Sequence, residues 1–304
     1  MIWTPGSPTY AQIANTLELP YRGDELHHFG WNACSSALCP YAPHPHLERD
    51  LIVPALRSSR IYVIDTKPDP YRPRIVKILE PQEVLTRAGY SRPHTVHCGP
   101  DAIYISALGS ANGGDGPGGV FTLDHYTFEV LGPWEIDRGP QYLAYDFWWH
   151  IGHDIMVTSE WGTPALYEDG LRLEDVVNRR YGHQLHFWDL RRRRHVQAVD
   201  LGADYQITLE LRPAHDPTKT YGFAGVTVNV NDLSSSIWLW QPQNGRWQAT
   251  KVIDIPAQPA DPAELPPILK DLKAVPPLVT DIDLSLCANS SPGRFSWRAR
   301  TGPG

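Results

Sequence analysis

The run Arg60-Ile61-Tyr62-Val63-Ile64-Asp65, RIYVID, decides the fold, because its kind returns three more times: GVFTLD at 119–124, QLHFWD at 184–189 and SIWLWQ at 236–241. Each is a short β-rich stretch that closes on Asp or Gln. After each comes a turn and a second strand-like run: RIVKILEP at 74–81, TFEVLGPW at 127–134, RHVQAVDLG at 194–202 and RWQATKVIDIP at 246–256. Self-similarity at such a period marks a propeller or a solenoid.

Two further strand-like runs precede the later pairs: PHTVHC (93–98) with AIYISAL (102–108), LAYDFWWH (143–150) with DIMVTSEW (154–161), and ITLELRP (207–213) with YGFAGVTV (221–228). Four strands per unit, with units about 50 to 70 residues apart, predict an all-β chain, a β-propeller of four-stranded blades, with about four to five blades present. Blades pack face to face, so inner strands such as DIMVTSEW are expected to be apolar with little alternation. LEDVVNRRYG (173–182) is the one predicted helix, with Leu173, Val176 and Val177 at helical spacing and Gly182 as its stop. TYAQIANTLELP (9–20) reads as the last strand of a blade whose earlier strands are absent, and LVTDIDLSL (278–286) as the first strand of a new one. Residues 1–286 are therefore read as an incomplete propeller, and 287–304, which lack periodicity, as a disordered tail. A chain cut in this way is expected to be poorly stable, weakly active and inclined to self-associate through exposed blade edges.

Bulk properties narrow the function classes. The 304 residues carry a net charge of −7, with 29 Pro, 24 Gly and 11 Trp, a mix that suits short strands and turns. The one basic run, Arg191 to Arg194, reads as a solvated hairpin, so neither nucleic acid nor an anionic membrane is an expected partner. No stretch approaches the roughly 20 apolar residues that cross a bilayer, and MIWTPGSPTY lacks the layout of a signal peptide. Four cysteines, Cys34, Cys39, Cys98 and Cys287, make no disulfide framework in a chain this long, which points to a reducing, cytoplasmic setting.

Thirteen histidines are the main chemical resource. His27 and His28 open one inner strand, and His94 and His97 lie in another. Imidazoles suit copper, zinc, iron or nickel. On a regular strand neither pair can face one point, so a bent backbone, with the first member in the turn ahead of the strand, is required for convergence. Buried, hydrogen-bonded structural histidines are the competing reading. Cys34, before Ser35 and Ser36, is either a soft-metal, selenium or thiol site or an inert buried cysteine. Tyr145 and Asp146 place a phenol and a carboxylate near the same axis, where Asp146 either orients a ligating imidazole or caps backbone amides. The glycine-rich segment 109–119 lies between two strands, which makes it a hairpin loop and no phosphate loop.

GDELHHFGWNACSS (23–36), SSRIYVID (58–65), HTVHC (94–98), YDFWWHIGHDIMVTSEW (145–161) and YGHQLHFWDL (181–190) together resemble the selenium-binding protein / methanethiol oxidase family, from about residue 6 to residue 286. The resemblance implies a seven-bladed propeller and copper-dependent oxidation of methanethiol by oxygen and water to formaldehyde, hydrogen sulfide and hydrogen peroxide. It implies metal ligands at His27, His28, His94 and His97 and selenium binding at Cys34; the partners would be small thiols or selenium species. A non-enzymatic selenium- or thiol-binding scaffold is the alternative. The chain departs from the family in having Ala37 in place of the second cysteine of CSSC, and Gln184 where a histidine is usual.

Overall fold

The computed structural model describes residues 6, 8–33, 50–99, 101–112 and 114–284. Short turns between strands of alternating or wholly apolar character leave each strand one cheap partner, its neighbour in sequence. The first sheet is β1 (Gly30–Trp31), β2 (Asp50–Pro54), β3 (Ile61–Asp65) and β4 (Arg74–Leu79) in that order. The second is β5 (Tyr90–Cys98), β6 (Ile103–Ser110), β7 (Gly119–Leu123) and β8 (Val130–Pro133), preceded by helix α1 (Pro81–Ala88). The third is β9 (Phe147–His150), β10 (Ile155–Thr158), β11 (Gln184–Asp189) and β12 (Arg194–Asp200), with short helices α2 (Pro164–Tyr167) and α3 (Leu173–Val177) inserted between β10 and β11. The fourth is β13 (Tyr205–Pro213), β14 (Gly222–Asn229), β15 (Ser235–Gln243) and β16 (Arg246–Ile255). All pairs within these sheets are antiparallel.

These four sheets are consecutive β-propeller blades, and the apolar side chains show it. Ile52, Ile61 and Val63 of the first pack on Val96, Ile105 and Phe121 of the second. Tyr104 and Val120 of the second share a cluster with Phe147, Met156 and Trp188 of the third. Val157, Leu185 and Phe187 of the third meet Leu211, Val226 and Trp240 of the fourth. With both faces covered, β3 and β14 are buried along their whole length, as expected of blade strands. Gly30 shows how close the first two blades come: a Cβ there would stand 2.4 Å from the Val96 carbonyl oxygen, so only glycine fits.

A serine repeats at the blade junctions. Ser106 Oγ accepts from Thr95 N at 3.0 Å in its own blade and donates to Tyr145 O, at 2.6 Å, in the next. One blade on, Ser159 Oγ accepts from Asp146 N at 3.2 Å and donates to Leu209 O at 2.6 Å. Ser159 is fully buried, so Ser159→Ala leaves a carbonyl and an amide without partners. The expected cost is about 1–3 kcal/mol, measured as a lowered urea midpoint at unchanged slope; an unchanged midpoint would show that the serine hydroxyl does not hold the blades.

Several elements differ from the sequence reading. Residues 9–20 form no strand: Leu17 and Leu19 lie half-buried against the cluster of Val53, Ala55, Tyr62 and Ile64, and Asn15 Nδ2 donates to Tyr71 O at 2.7 Å, so side chains replace a ladder. Residues 278–284 also lack ladder pairing, but Val279 and Ile282 are buried against Phe223 and Ile237 on the fourth blade. Thr227 Oγ1 donates to Val279 O at 3.1 Å and Val279 N to Ser235 Oγ at 3.1 Å. The tail 287–304 lies outside the described residues. Helix α1 begins at Pro81, where the strand expected over 74–81 ends: Glu80 and Glu83 form a capping box around Pro81, and Gly89 ends the helix at φ 75°. Helix α3 stops at Val177, earlier than expected, and Gly182 instead donates its N–H to Trp161 O at 2.7 Å. The 109–119 segment is the expected β6–β7 connection, tied to α2 by Asp115 Oδ1 accepting from Ala165 N. No helix among the described residues is long and apolar enough to cross a membrane.

Candidate metal and thiol site

Inner strands bend where the candidate residues lie. In β5 the register slips between Pro93, opposite Ala107, and Val96, opposite Ile105, so His94 and Thr95 together face Ser106. In β13 it slips between Thr208 and Leu211, leaving Leu209 and Glu210 together facing Gly225. Such bulges re-aim side chains that a regular strand would send to opposite faces. Arg92 and Ile207 hold left-handed backbone, φ 57° and 63°, two residues ahead of His94 and Leu209. For His94 the bend thus lies inside β5 and not in the turn ahead of it, whereas His27 and His28 both precede β1, as expected.

Three of the four candidate histidines meet. The His94 ring lies 4.3 Å from that of His28 and 5.4 Å from that of His27, centroid to centroid, and 4.4 Å from Tyr145. His94 is fully buried; its Nδ1 stands 3.2 Å from Thr95 Oγ1, and its Nε2 has no hydrogen-bond partner. Burial, and then the neighbouring His28 and His27, hold His94 well below the ordinary imidazole range. Burial likewise lowers His28. Both are therefore neutral at neutral pH, the form that binds metals. His27 Nε2 is engaged by Glu25 Oε1 at 2.7 Å. His97 makes no ring contact with the other three: it packs on Trp148 and Phe147 at 4.2 and 5.1 Å, and its Nε2 stands 4.0 Å from Asp146 Oδ1. Burial, then Arg212 and His28, push His97 down to about 3.

Asp146 is buried between the third and fourth blades. Its Oδ1 accepts from Phe147 N and its Oδ2 from Leu211 N, both at 2.8 Å, the latter an amide that the β13 bulge releases from the ladder. Asp146 thus caps backbone amides, and its Oδ1 also stands 4.0 Å from His97 Nε2. Sequence reasoning missed what lies beside it. Glu210, 3% exposed at its side chain, stands 3.4 Å from His28 Nε2 and accepts from Arg212 Nη1 at 2.6 Å. Arg212 also reaches Asp281 at 3.1 Å, Asp283 at 3.4 Å and Asp146 at 3.8 Å. Burial, with mutual repulsion added for Asp146, pushes Asp146 and Glu210 each up to about 7, against the pull of Arg212. The signal was present in LELRP: Glu210 and Arg212 stand two apart, an acid and a base on an otherwise apolar inner strand.

Next to these groups lies an open cavity of about 840 Å³, with His27, His28, Tyr145, Trp161 and Glu210 among its walls. Among the described residues no three side chains of metal-binding type stand close enough to hold an ion by themselves. The orphaned, buried Nε2 of His94 beside the neutral His28 nevertheless suits imidazole ligation.

His186 and His195 are satisfied locally. Glu160 Oε1 accepts from His186 Nε2 at 2.9 Å, which leaves His186 Nδ1 to accept from His195 Nε2 at 3.0 Å. Gln184 joins this cluster through its backbone N–H, donated to Glu160 Oε2 at 3.1 Å. Cys34, Cys39 and Cys287 lie outside the described residues. Cys98 is disulfide-bonded, which departs from the expectation of reduced cysteines.

Residues 3–289 match the family model of the 56 kDa selenium-binding protein. A methanethiol oxidase of Xenopus laevis is 42% identical over 284 residues, covering 93% of this chain and 57% of the frog protein. Selenium-binding protein 2 of Mus musculus is 37% identical over 283 residues, again covering 57% of that protein. In the X-ray structure of a hypothetical selenium-binding protein from Sulfolobus tokodaii, 61% identical, the match covers 93% of this chain and 62% of that one at a TM-score of 0.88. The chain therefore spans somewhat over half the length of these relatives.

Proposed function

Because the chain belongs to the 56 kDa selenium-binding protein family, we propose that it carries the histidine-rich half of a thiol oxidase that converts methanethiol, oxygen and water to formaldehyde, hydrogen sulfide and hydrogen peroxide. The methyl carbon loses two electrons and oxygen gains them. The observation that carries this reading is the pair His28 and His94, 4.3 Å apart beside a large cavity, with His94 Nε2 buried and unpartnered.

Copper is the metal that this donor set and this chemistry favour, because imidazoles hold both of its oxidation states. When bound, it would supply one-electron transfer between thiol and oxygen. His28 and His94 would hold it, with His27 the nearest further imidazole, while His97 lies beside Asp146. Glu210 faces His28 Nε2 and orients that ring. Tyr145 and Trp161, 5.7 Å apart and edge-on, form an apolar wall that keeps water from part of the cavity. Asp146 and Glu210, near 7, can take up and return protons that thiol oxidation releases. Selenium binding at Cys34 and residence in the cytoplasm complete the proposal.

Metal analysis and oxygen uptake test it. Copper-loaded chain given methanethiol is expected to consume oxygen and form peroxide and sulfide in equal amounts. A chain that takes up no copper but still captures selenite would replace the oxidase reading with that of a carrier.

A further inference from the structure

We propose that the cavity sorts small thiols by charge, taking neutral and cationic ones and turning away anionic ones, with Asp281 and Asp283 as the specificity residues. This rests on the thiol-oxidase reading and deepens it. One wall of the cavity carries Glu210, Asp281 and Asp283, all gathered around Arg212. Among the described lining residues Arg212 is the one arginine or lysine that an anionic ligand could seek, and it is already committed. Its Nη1 donates to Glu210 Oε2 and to Leu211 O, its Nη2 to Asp281 Oδ1 and its Nε to Asp283 Oδ1. A ligand carboxylate would have to break these bonds and then lie against the freed carboxylates.

The rest of the lining explains what is accepted. Tyr145 and Trp161 supply aromatic surface and Leu209 aliphatic surface. Sulfur sits well against aromatic edges, and a ligand ammonium is attracted both by their faces and by the carboxylates. Asp281 and Asp283 come from the extended segment that docks on the fourth blade, and their side chains are 44% and 79% exposed, so they can be altered without disturbing the core.

The test compares ethanethiol, 2-aminoethanethiol and thioglycolate, of similar size and of neutral, positive and negative charge. Binding to the metal-free chain is measured anaerobically by ligand-observed NMR, which separates this proposal from turnover. At low salt 2-aminoethanethiol is expected to bind about tenfold more tightly than thioglycolate, the gap shrinking to about twofold near 0.5 M salt. Asp281→Asn combined with Asp283→Asn is expected to close most of the low-salt gap, and Trp161→Ala to weaken ethanethiol. Equal affinities across the series, a gap that survives the double substitution, or no binding of any of the three would overturn the proposal. Graded binding without oxygen uptake would remove only the oxidase reading. Oxidation of methanethiol with a flat binding series would remove only the charge selection.

Discussion

Arg212→Ala is expected to destabilise the folded chain by about 3–5 kcal/mol at neutral pH, the usual cost of stripping a buried ion pair of one partner. Arg212 is 22% exposed and stands among Glu210 and Asp146, both almost wholly buried, so its loss leaves two carboxyls facing each other with no cation. The sign of the pH dependence follows from their titration. Both are held near 7, above the ordinary carboxyl range near 4, so the folded chain binds more protons than the unfolded one between those values. The stability this contributes is present below about 4 and is lost as pH rises through 7. Without Arg212 the two carboxyls stay protonated to still higher pH, so the variant loses stability over a window that extends further into the alkaline range. The deficit should therefore be small in urea melts at about pH 5.5 and largest near pH 8.5. Adding Glu210→Gln to the variant should restore part of the loss, because one uncompensated charge is removed. A deficit below about 1 kcal/mol, or one that does not change with pH, would mean that the guanidinium is not what balances this centre.

His94→Ala is expected to cost the chain its copper. Loss of a group that merely supports a ligand lowers metal affinity about 10- to 100-fold, so loss of a ligating imidazole should reach at least the upper end, about 100-fold. Because His94 is wholly buried, alanine also leaves a void. His94→Phe, which keeps the ring volume, should lose copper equally while melting closer to the parent. His97→Ala is the comparison: His97 packs on Trp148 and faces Asp146, away from the other three rings, and its removal should change copper affinity by less than about tenfold. The measurement is competitive titration with a copper chelator, with thermal melts run on each variant. Retention of copper by both His94 variants would dismiss the His28–His94 pair as a metal site.

Much of the architecture was legible from local pattern. The four runs from RIYVID to SIWLWQ all became third strands of successive sheets, because β-branched and aromatic residues between turn formers have one low-cost use, a hairpin in a covered sheet. The ends were less legible. Residues 9–20 and 278–284 have strand-like composition yet make no ladder, since a strand also needs an open edge at the right place, and no local pattern shows where edges lie.

The chain's sequence determined by itself the hairpin order of the blades, the burial of their inner strands and the stock of imidazoles available for chemistry. Only the tertiary structure decided that His28 and His94 touch while His97 does not, and that Glu210, Arg212 and Asp146 form one charged centre. The reason is physical: a two-residue side-chain period is a property of each strand alone, whereas a bulge that overrides it, and the blade that comes to stand opposite, exist only once the sheets have packed around a common axis.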